Sequence, residues 1–240
     1  MRRHSIKATA VGLIAATSMC LIFASSAQAQ SLGANSLTKF QKAQEALEHQ
    51  IIARQVQLAL LGTEVANAAN VTTSDRGQLV MLITTDQKGL ATDFNNAALA
   101  TKSSDLNPIR QAVVGGERVY AVVTAEVGLV IGADNATVAE GGYSGLSTEL
   151  APFVTELGST HATNLLADIT SRVTAAEALT TGLSADALAL SPSGYPGNES
   201  QIKSYNFQLG QVGHDLGIAK SDVKTIETIA LNTPRIVKHV

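Results

Sequence analysis

The side chains in this chain that could carry out acid–base or metal chemistry are few and scattered. Glu45 and His49 lie four positions apart, with Glu48 beside His49. This spacing would place two potential metal ligands on one face of a helix. A carboxylate-bridged dimetal bundle needs Glu-x-x-His on two helices, and that motif does not occur in the sequence. The pattern therefore favours a solvated polar face over a metal site.

A second candidate is the dipeptide His214-Asp215, of a kind used by metal-dependent hydrolases. Such a site needs further histidine and aspartate ligands at defined positions. Besides His49, the chain offers only His161 and His239 after the first 29 residues, one in a predicted turn and one in a predicted tail. We expect an exposed histidine beside an acid.

Two further stretches have suggestive compositions. Residues 142–145, GYSG, lack the Gly-x-Ser-x-Gly elbow of a serine hydrolase, and no strand precedes them. They also lack the lysine and the spacing of a phosphate-binding loop, so a flexible joint is the better interpretation. Tyr195, Tyr205 and Phe207 could form a contact patch, or they could pack the loop that holds Tyr195 onto the last helix.

The amino terminus has the features of an export signal. Arg2, Arg3 and Lys7 precede an apolar segment from about Ala8 to Ala24, and Ala27-Gln28-Ala29 fits the small-x-small cleavage rule. Residues 1–29 are therefore a predicted signal peptide, cleaved after Ala29, which implies a secreted or envelope-associated bacterial protein. The twin arginine leaves the twin-arginine route open, but the general secretory route fits better.

The composition excludes several kinds of function. The only cysteine, Cys20, lies in the predicted signal, so the exported chain has no disulfide and no thiol nucleophile. The whole chain has 20 acidic and 17 basic residues, and three of the basic ones fall in the signal. This acidic balance argues against nucleic acid as a partner. Tryptophan is absent, so the core must be built from aliphatic side chains.

Positioning any such groups depends on the elements, and the most informative is the apolar run RVYAVVTAEVGLVIGA at 118–133. Its β-branched residues would suit a strand. Apolar residues upstream and within it recur every three or four positions, which favours a helix; this seam comprises Ile109, Val113, Gly116, Tyr120, Val123, Val127 and Val130. The run is too short for a membrane span and contains Glu126. We expect no transmembrane span in the exported chain.

This third helix is predicted to begin with Asn107 as its cap and Pro108 as its first residue. It could continue to Leu157 as one rod. Glycines at 141–145 and Pro152 favour a kink or break instead, with Ser144 capping a new helix. The sequence leaves both alternatives open.

The same spacing predicts the other helices. The first is capped by Ser36 and has a long seam with two polar positions: Leu37, Phe40, Gln44, Leu47, Ile51, Arg54, Leu58, Leu61, Val65 and Ala68. The second starts after Thr73 or Ser74 and returns antiparallel to the first, burying Leu79, Ile83, Leu90, Phe94 and Ala97. The fourth follows a turn at 158–160 and buries Leu165, Ile169, Val173, Ala176 and Leu179, with 183–190 as an extension. The loop 191–197 precedes a fifth helix that opens at Asn198 or Ser200 and ends at Thr233-Pro234.

The predicted fold is therefore all-α: an elongated antiparallel bundle of about five helices with coiled-coil-like packing. The bundle domain spans residues 36–232, between a linker at 30–35 and a flexible basic tail at 233–240.

Three segments carry a resemblance to known proteins: RQVQLALLGTEVANAANVTTSDRGQLVMLI at 54–83, RVYAVVTAEVGLVIGAD at 118–134, and residues 184–226. Together they resemble a group of secreted, entirely helical bacterial proteins with no assigned activity. The resemblance covers less than half of the exported chain. It implies an elongated helical architecture and no known chemistry.

The sequence thus favours an exported, non-enzymatic helical protein with a structural, envelope-associated or binding role, and with no metal or cofactor. Its expected partner is a protein or an envelope component, and self-association is left open. One alternative is a carrier of a small molecule or metal in a cavity between helices. Another is a hydrolase with an unrecognised site, for which His161 and His214 are the candidate residues.

Overall fold

The fold is all-α, as predicted. The computed structural model describes residues 38–116 and 119–233, and no strand occurs among them. Seven α-helices follow one another: α1 Lys39–Asn67, α2 Thr73–Leu99, α3 Ser103–Gln111, α4 Thr124–Leu157, α5 Thr160–Thr180, α6 Leu183–Leu188 and α7 Glu199–Asn232. The predicted signal peptide at 1–29, the linker at 30–35 and tail residues 234–240 lie outside the described residues.

Helix α1 begins later than the sequence suggested, because Thr38 rather than Ser36 is its cap. The backbone N–H of Gln41 donates to Thr38 Oγ1 (3.2 Å), and the backbone N–H of Thr38 donates to Gln41 Oε1 (2.9 Å). This reciprocal pair satisfies two backbone donors at the helix start. Helix α2 is likewise capped by Thr72, not by Thr73 or Ser74.

The predicted seam of α1 faces the core. Its central positions are buried: Leu47, Ile51, Leu58, Leu61 and Val65. Gln44 Nε2 donates to the carbonyl of Ala97 (2.7 Å), which joins the start of α1 to the end of α2. The two helices therefore form the predicted antiparallel hairpin. Arg54 is half-buried, and its guanidinium carbon lies 5.3 Å from the centre of the Tyr120 ring, a cation–π contact.

The connection between α1 and α2 is held by Arg76, a role that the sequence did not reveal. Its guanidinium donates to the carbonyls of Ala68 (2.6 Å), Ala66 (2.9 Å) and Val65 at the end of α1. The last carbonyls of a helix have no partner within the helix. Arg76 supplies those partners from the first turn of the next helix.

Replacing Arg76 with Met is expected to lower the free energy of unfolding by about 1–3 kcal/mol, because half-buried carbonyls lose charged donors. Urea denaturation followed by circular dichroism measures the change. Arg110→Met, at an exposed site on α3, serves as the control and should stay within about 0.5 kcal/mol of the wild type. Equal losses in the two variants would contradict the capping role.

Helix α3 begins at Ser103, so the predicted start at Asn107 and Pro108 is wrong. The carboxylate of Asp105 accepts from the backbone N–H groups of Thr101 and Lys102, both at 3.2 Å, and these bonds lower its pKa. Because this acid satisfies the first backbone donors, the helix can start four residues before the proline. Pro108 lies inside the helix.

The central apolar run is helical, as predicted, but it is wound differently. Two π-helical segments, Ala112–Gly116 and Val119–Val123, lie between α3 and α4. A π turn closes its hydrogen bonds over five residues instead of four and therefore rotates the faces that follow. Val119 and Val122 are buried, whereas Tyr120, assigned to the predicted seam, is 54% exposed.

Helix α4 runs without interruption through residues 141–145 and past Pro152. The predicted joint at 142–145 is therefore wrong, and the continuous rod is the correct alternative. Tyr143, Leu146 and Leu150 pack against the buried Val154 and its neighbours. This contact offsets the cost of about 1 kcal/mol for each glycine in a helix.

The remaining helices return along α4. Gly158, in the left-handed region (φ 61°), ends α4, and Ser159 caps α5. Ser147 lies against Thr170 (3.0 Å between hydroxyl oxygens) and Glu140 against Thr180, so α4 and α5 are antiparallel. The inward face of α5 is as predicted, with Ile169, Val173 and Ala176 buried and Leu165 and Leu179 half-buried. Residues 183–188 form a separate helix, α6, because Gly182 adopts φ 79° before it.

Two main hydrophobic clusters hold the bundle. The first contains side chains from α1 to α4, α6 and the start of α7, including Leu58, Leu90 and Val127. The second joins the far half of α4 to α5 and α7 through Val154, Ile169 and Ile226. The close interdigitation of a coiled coil stays a prediction.

The helical stretch Ser103–Leu157 is, by length and composition, apolar enough to cross a membrane. Half of its most apolar window is buried inside the bundle, and core helices of proteins without a membrane meet the same criterion. The absence of a transmembrane span stays a prediction.

Candidate functional site

The most unusual chemical feature of the described residues is a set of acids inside the bundle. Asp86 on α2 and Glu126, Asp134 and Glu140 on α4 are all buried. Charged side chains are rarely buried unless something compensates for their loss of water. These acids are therefore the first place to look for function.

Glu126 is the most perturbed of them. Its side chain is 2% exposed, and it follows the buried Val123 on a helix whose core face is aliphatic. Burial raises its pKa from 4.5 to about 8, and the negative charge of nearby Asp86 raises the pKa further. Glu126 therefore carries a proton at neutral pH. A neutral carboxyl can act as a general acid when a substrate can reach it.

No such access is evident for Glu126. A groove of about 460 Å³ lies at the end of α2 and the start of α3 and is lined in part by Asp93 and Asp105. A second groove, of about 580 Å³, lies between α4 and α5. Neither groove is lined by Glu126 or Asp86. The proton on Glu126 therefore lies within packed helices.

The groove between α4 and α5 is lined by hydroxyl side chains over an apolar floor that includes Leu166 and Val173. Its hydroxyl groups are largely used within the protein. Thr148 donates to a carbonyl of its own helix (3.1 Å), and so does Thr174 (3.0 Å), while Ser147 bonds to Thr170. A ligand would find few unused donors there.

The other buried acids on α4 connect helices. Asp134 accepts a hydrogen bond from the backbone N–H of Thr72 (3.0 Å), and Ser184 donates to its neighbour Asp75 (3.1 Å). Thr180 donates to both carboxylate oxygens of Glu140, at 2.9 and 3.0 Å. Burial raises the pKa of Asp134 and of Glu140, and these hydrogen bonds partly oppose that rise. Both acids thus tie α4 to neighbouring elements.

Thr180→Val keeps the shape of the side chain and removes the donor to Glu140. We expect the free energy of unfolding to fall by about 1–3 kcal/mol, the cost of a buried acid without its partner, and the pKa of Glu140 to rise further. Chemical denaturation of the variant measures the loss.

Thr181→Val is the matched control, because Thr181 is exposed and its hydroxyl bonds only to the carbonyl of Glu177 (2.6 Å). This variant should lose no more than about 0.5 kcal/mol. Similar losses in both variants would show that Glu140 gains nothing from Thr180.

The predicted dipeptide His214-Asp215 has a structural role. Asp215 Oδ1 accepts from Arg172 Nη1 (2.8 Å), and Arg172 also pairs with Asp168 on its own helix (3.5 Å), so α5 and α7 are joined by charge. Asp222 shares a hydrogen bond with Asp168, and its pKa is raised by burial and then by that acid. His214 itself is exposed.

The structure does not bring the other candidates together. Glu45 and His49 are exposed on α1, His161 is exposed at the start of α5, and His239 lies outside the described residues. Within 38–116 and 119–233, no group of three or more His, Cys, Asp or Glu side chains is placed to hold a metal ion. In the aromatic cluster, Tyr195 and Tyr205 pack against the first hydrophobic cluster, whereas Phe207 is exposed.

Sequence reasoning missed the buried acids, although a signal for them was present. Asp86 lies seven positions after Leu79 and four before Leu90, which is itself a seam position. Glu126 directly precedes Val127 in the central run. An acid at a seam position indicates a buried carboxyl as much as it indicates a gap in the seam.

Comparison with known proteins gives no match: no family model, no curated protein and no solved structure is significantly similar to this chain.

Proposed function

We propose that this chain is an exported, non-enzymatic helical protein that acts through its surface, as a structural or binding module of the cell envelope or the secreted fraction. The observation that carries the proposal is the placement of Glu126. The side chain with the most altered acidity is 2% exposed and lines neither groove. Its chemistry is therefore directed at neighbouring helices and not at a substrate.

Two further observations support this function. The histidines that could serve a hydrolase, His161 and His214, are exposed on different helices, and the acid beside His214 is engaged by Arg172. In contrast, large apolar side chains reach the surface of several helices, among them Val56, Met81, Leu99, Phe153 and Phe207. Exposed apolar surface is where a protein meets a partner.

Fractionation of bacterial cells that make the whole chain tests the proposal. We expect the exported form to begin at Gln30 by mass spectrometry and to be retained in the envelope fraction or to appear in a defined complex. A freely diffusing monomer would contradict the binding role. So would hydrolysis of any compound in a broad substrate panel that is lost in the double variant His161→Ala with His214→Ala.

The alternative of a small-molecule carrier is favoured by one observation, the groove of about 580 Å³ between α4 and α5 with its apolar floor. Native mass spectrometry after mild purification separates the two functions. A carrier should show a bound mass, and the proposed module should show the bare chain or its complex.

A further inference from the structure

One face of α1 carries a row of apolar side chains on the side away from the core. Ile52, Val56 and Leu60 follow one another at intervals of four residues and are 40%, 54% and 61% exposed. On the opposite side of the helix, Ile51, Leu58 and Leu61 are buried. The row forms a single continuous ridge, because side chains four apart lie next to each other on a helix. We call it the α1 ridge.

The α1 ridge reads almost the same in both directions. In IARQVQLAL, residues 52–60, Val56 is the centre. Ile52 mirrors Leu60, Ala53 mirrors Ala59, and Gln55 mirrors Gln57. The most common dimer has two-fold symmetry, in which the same patch of both copies must complement itself. A ridge that is unchanged when the helix is reversed meets that requirement.

We propose that the α1 ridge binds the same ridge of a second copy of this chain, with the two-fold axis at Val56. The proposal names one partner for the surface function proposed above.

The local geometry suits a close crossing of two helices. The small residues Ala53 and Ala59 flank the ridge, and both are exposed. They leave a shallow groove on each side into which the ridge of the other copy can fit. Two ridges built from residues four apart interlock when their helices cross at about −50°. The two copies of Val56 then face each other at the crossing point.

The ends of the α1 ridge limit the contact. One further turn in each direction brings the exposed polar residues His49 and Thr63, which occupy mirrored positions. The apolar contact therefore spans about 12 Å of helix, at 1.5 Å for each residue. A patch of this length lies at the low end of specific interfaces, so we expect a weak dimer with a Kd of about 10–100 μM.

Sedimentation velocity of the exported chain, starting at Gln30, tests the dimer. This chain contains all described residues, which belong to one compact unit. Between about 1 and 500 μM the wild type should shift from monomer to dimer. Val56→Glu places two charges at the crossing and should keep the chain monomeric throughout. Val138→Glu is the matched control, because Val138 on α4 is also 54% exposed, and it should dimerise like the wild type.

A cross-linking experiment provides a second readout, since the exported chain has no cysteine of its own. Val56→Cys should form a disulfide-linked dimer on mild oxidation, faster than Val138→Cys at the same concentration. Circular dichroism checks that every variant keeps its helix content.

Three results would overturn the dimer: a wild type that stays monomeric at every concentration, equal behaviour of Val56→Glu and Val138→Glu, or equal cross-linking rates of the two cysteine variants. The first outcome includes the case in which another part of the chain or a lipid covers the α1 ridge. These measurements use purified protein, so their failure leaves envelope retention intact. Conversely, a retained Val56→Glu variant would assign retention to a different surface.

Discussion

Raising the pH from about 5 to about 9 is expected to lower the free energy of unfolding by roughly 3–5 kcal/mol, and Glu126→Gln is expected to remove most of this change. The pKa of Glu126 is about 8 in the folded protein, above its ordinary value of 4.5. The folded state therefore holds this proton where the unfolded state has released it. The stabilisation is fully present below the ordinary pKa and is lost as the pH rises through 8.

Other acids add to the same trend. Burial also raises the pKa of Asp93, Asp134 and Glu140, so each of them favours the folded state on the acid side. Asp105 acts in the opposite direction because backbone hydrogen bonds lower its pKa, but it is at the surface. The sum predicts a bundle that is most stable in mild acid.

Urea denaturation at several pH values measures the effect of Glu126. Glu149→Gln, at an exposed position on the same helix, is the control and should keep the pH dependence of the wild type. A flat profile in the wild type, or an unchanged profile in Glu126→Gln, would contradict the burial of this acid.

The second large effect is expected from one of two leucines that lie two residues apart on α1. Leu58 is fully buried in the first hydrophobic cluster, whereas Leu60 is 61% exposed. Leu58→Ala should lower the free energy of unfolding by about 2–5 kcal/mol, because it removes buried methyl groups and leaves a cavity. This is a large share of the 5–15 kcal/mol that is typical of a domain.

Leu60→Ala is the control and should change the free energy of unfolding by no more than about 0.5 kcal/mol. Both variants are to be measured at a few micromolar, below the expected Kd of the dimer, so that self-association does not contribute. Equal losses would mean that the two faces of α1 are not distinguished as described. A larger loss for Leu60→Ala would reverse the assignment of the core.

The sequence predicted most helical faces, for a simple physical reason. An aliphatic residue every three or four positions makes one side of a helix apolar, and only burial of that side stabilises it. This explains the correct seam of α1 and the correct inward face of α5. The loop at 191–197 was also correctly placed, since two prolines and two glycines cannot continue a helix.

Periodicity could not detect the change of winding before α4. A seam read at intervals of three and four assumes normal turns, so it assigned Tyr120 to the core. The π segment Val119–Val123 rotates that side chain to the surface, where it meets Arg54. Pro108 was likewise taken as a helix start, because proline is favoured there. Asp105 instead provides an earlier cap.

The buried acids were missed for a related reason. An acid within an apolar pattern is usually interpreted as a solvent-facing position, and only three-dimensional packing shows that Glu126 faces inward. The role of Arg76 also depends on the turn between α1 and α2, which brings its guanidinium to carbonyls 8 to 11 positions earlier. Contacts of that kind leave no periodic trace in a sequence.

The proposed non-enzymatic function depends on Glu126 being enclosed by helices and out of reach of a substrate. The most direct measurement of this claim is the pKa of its carboxyl group, obtained by carbon-13 NMR titration of the exported chain and assigned with Glu126→Gln. We predict a value of about 8. A value near 4.5, the ordinary pKa of a glutamate in water, would show that solvent reaches this side chain and would contradict the account.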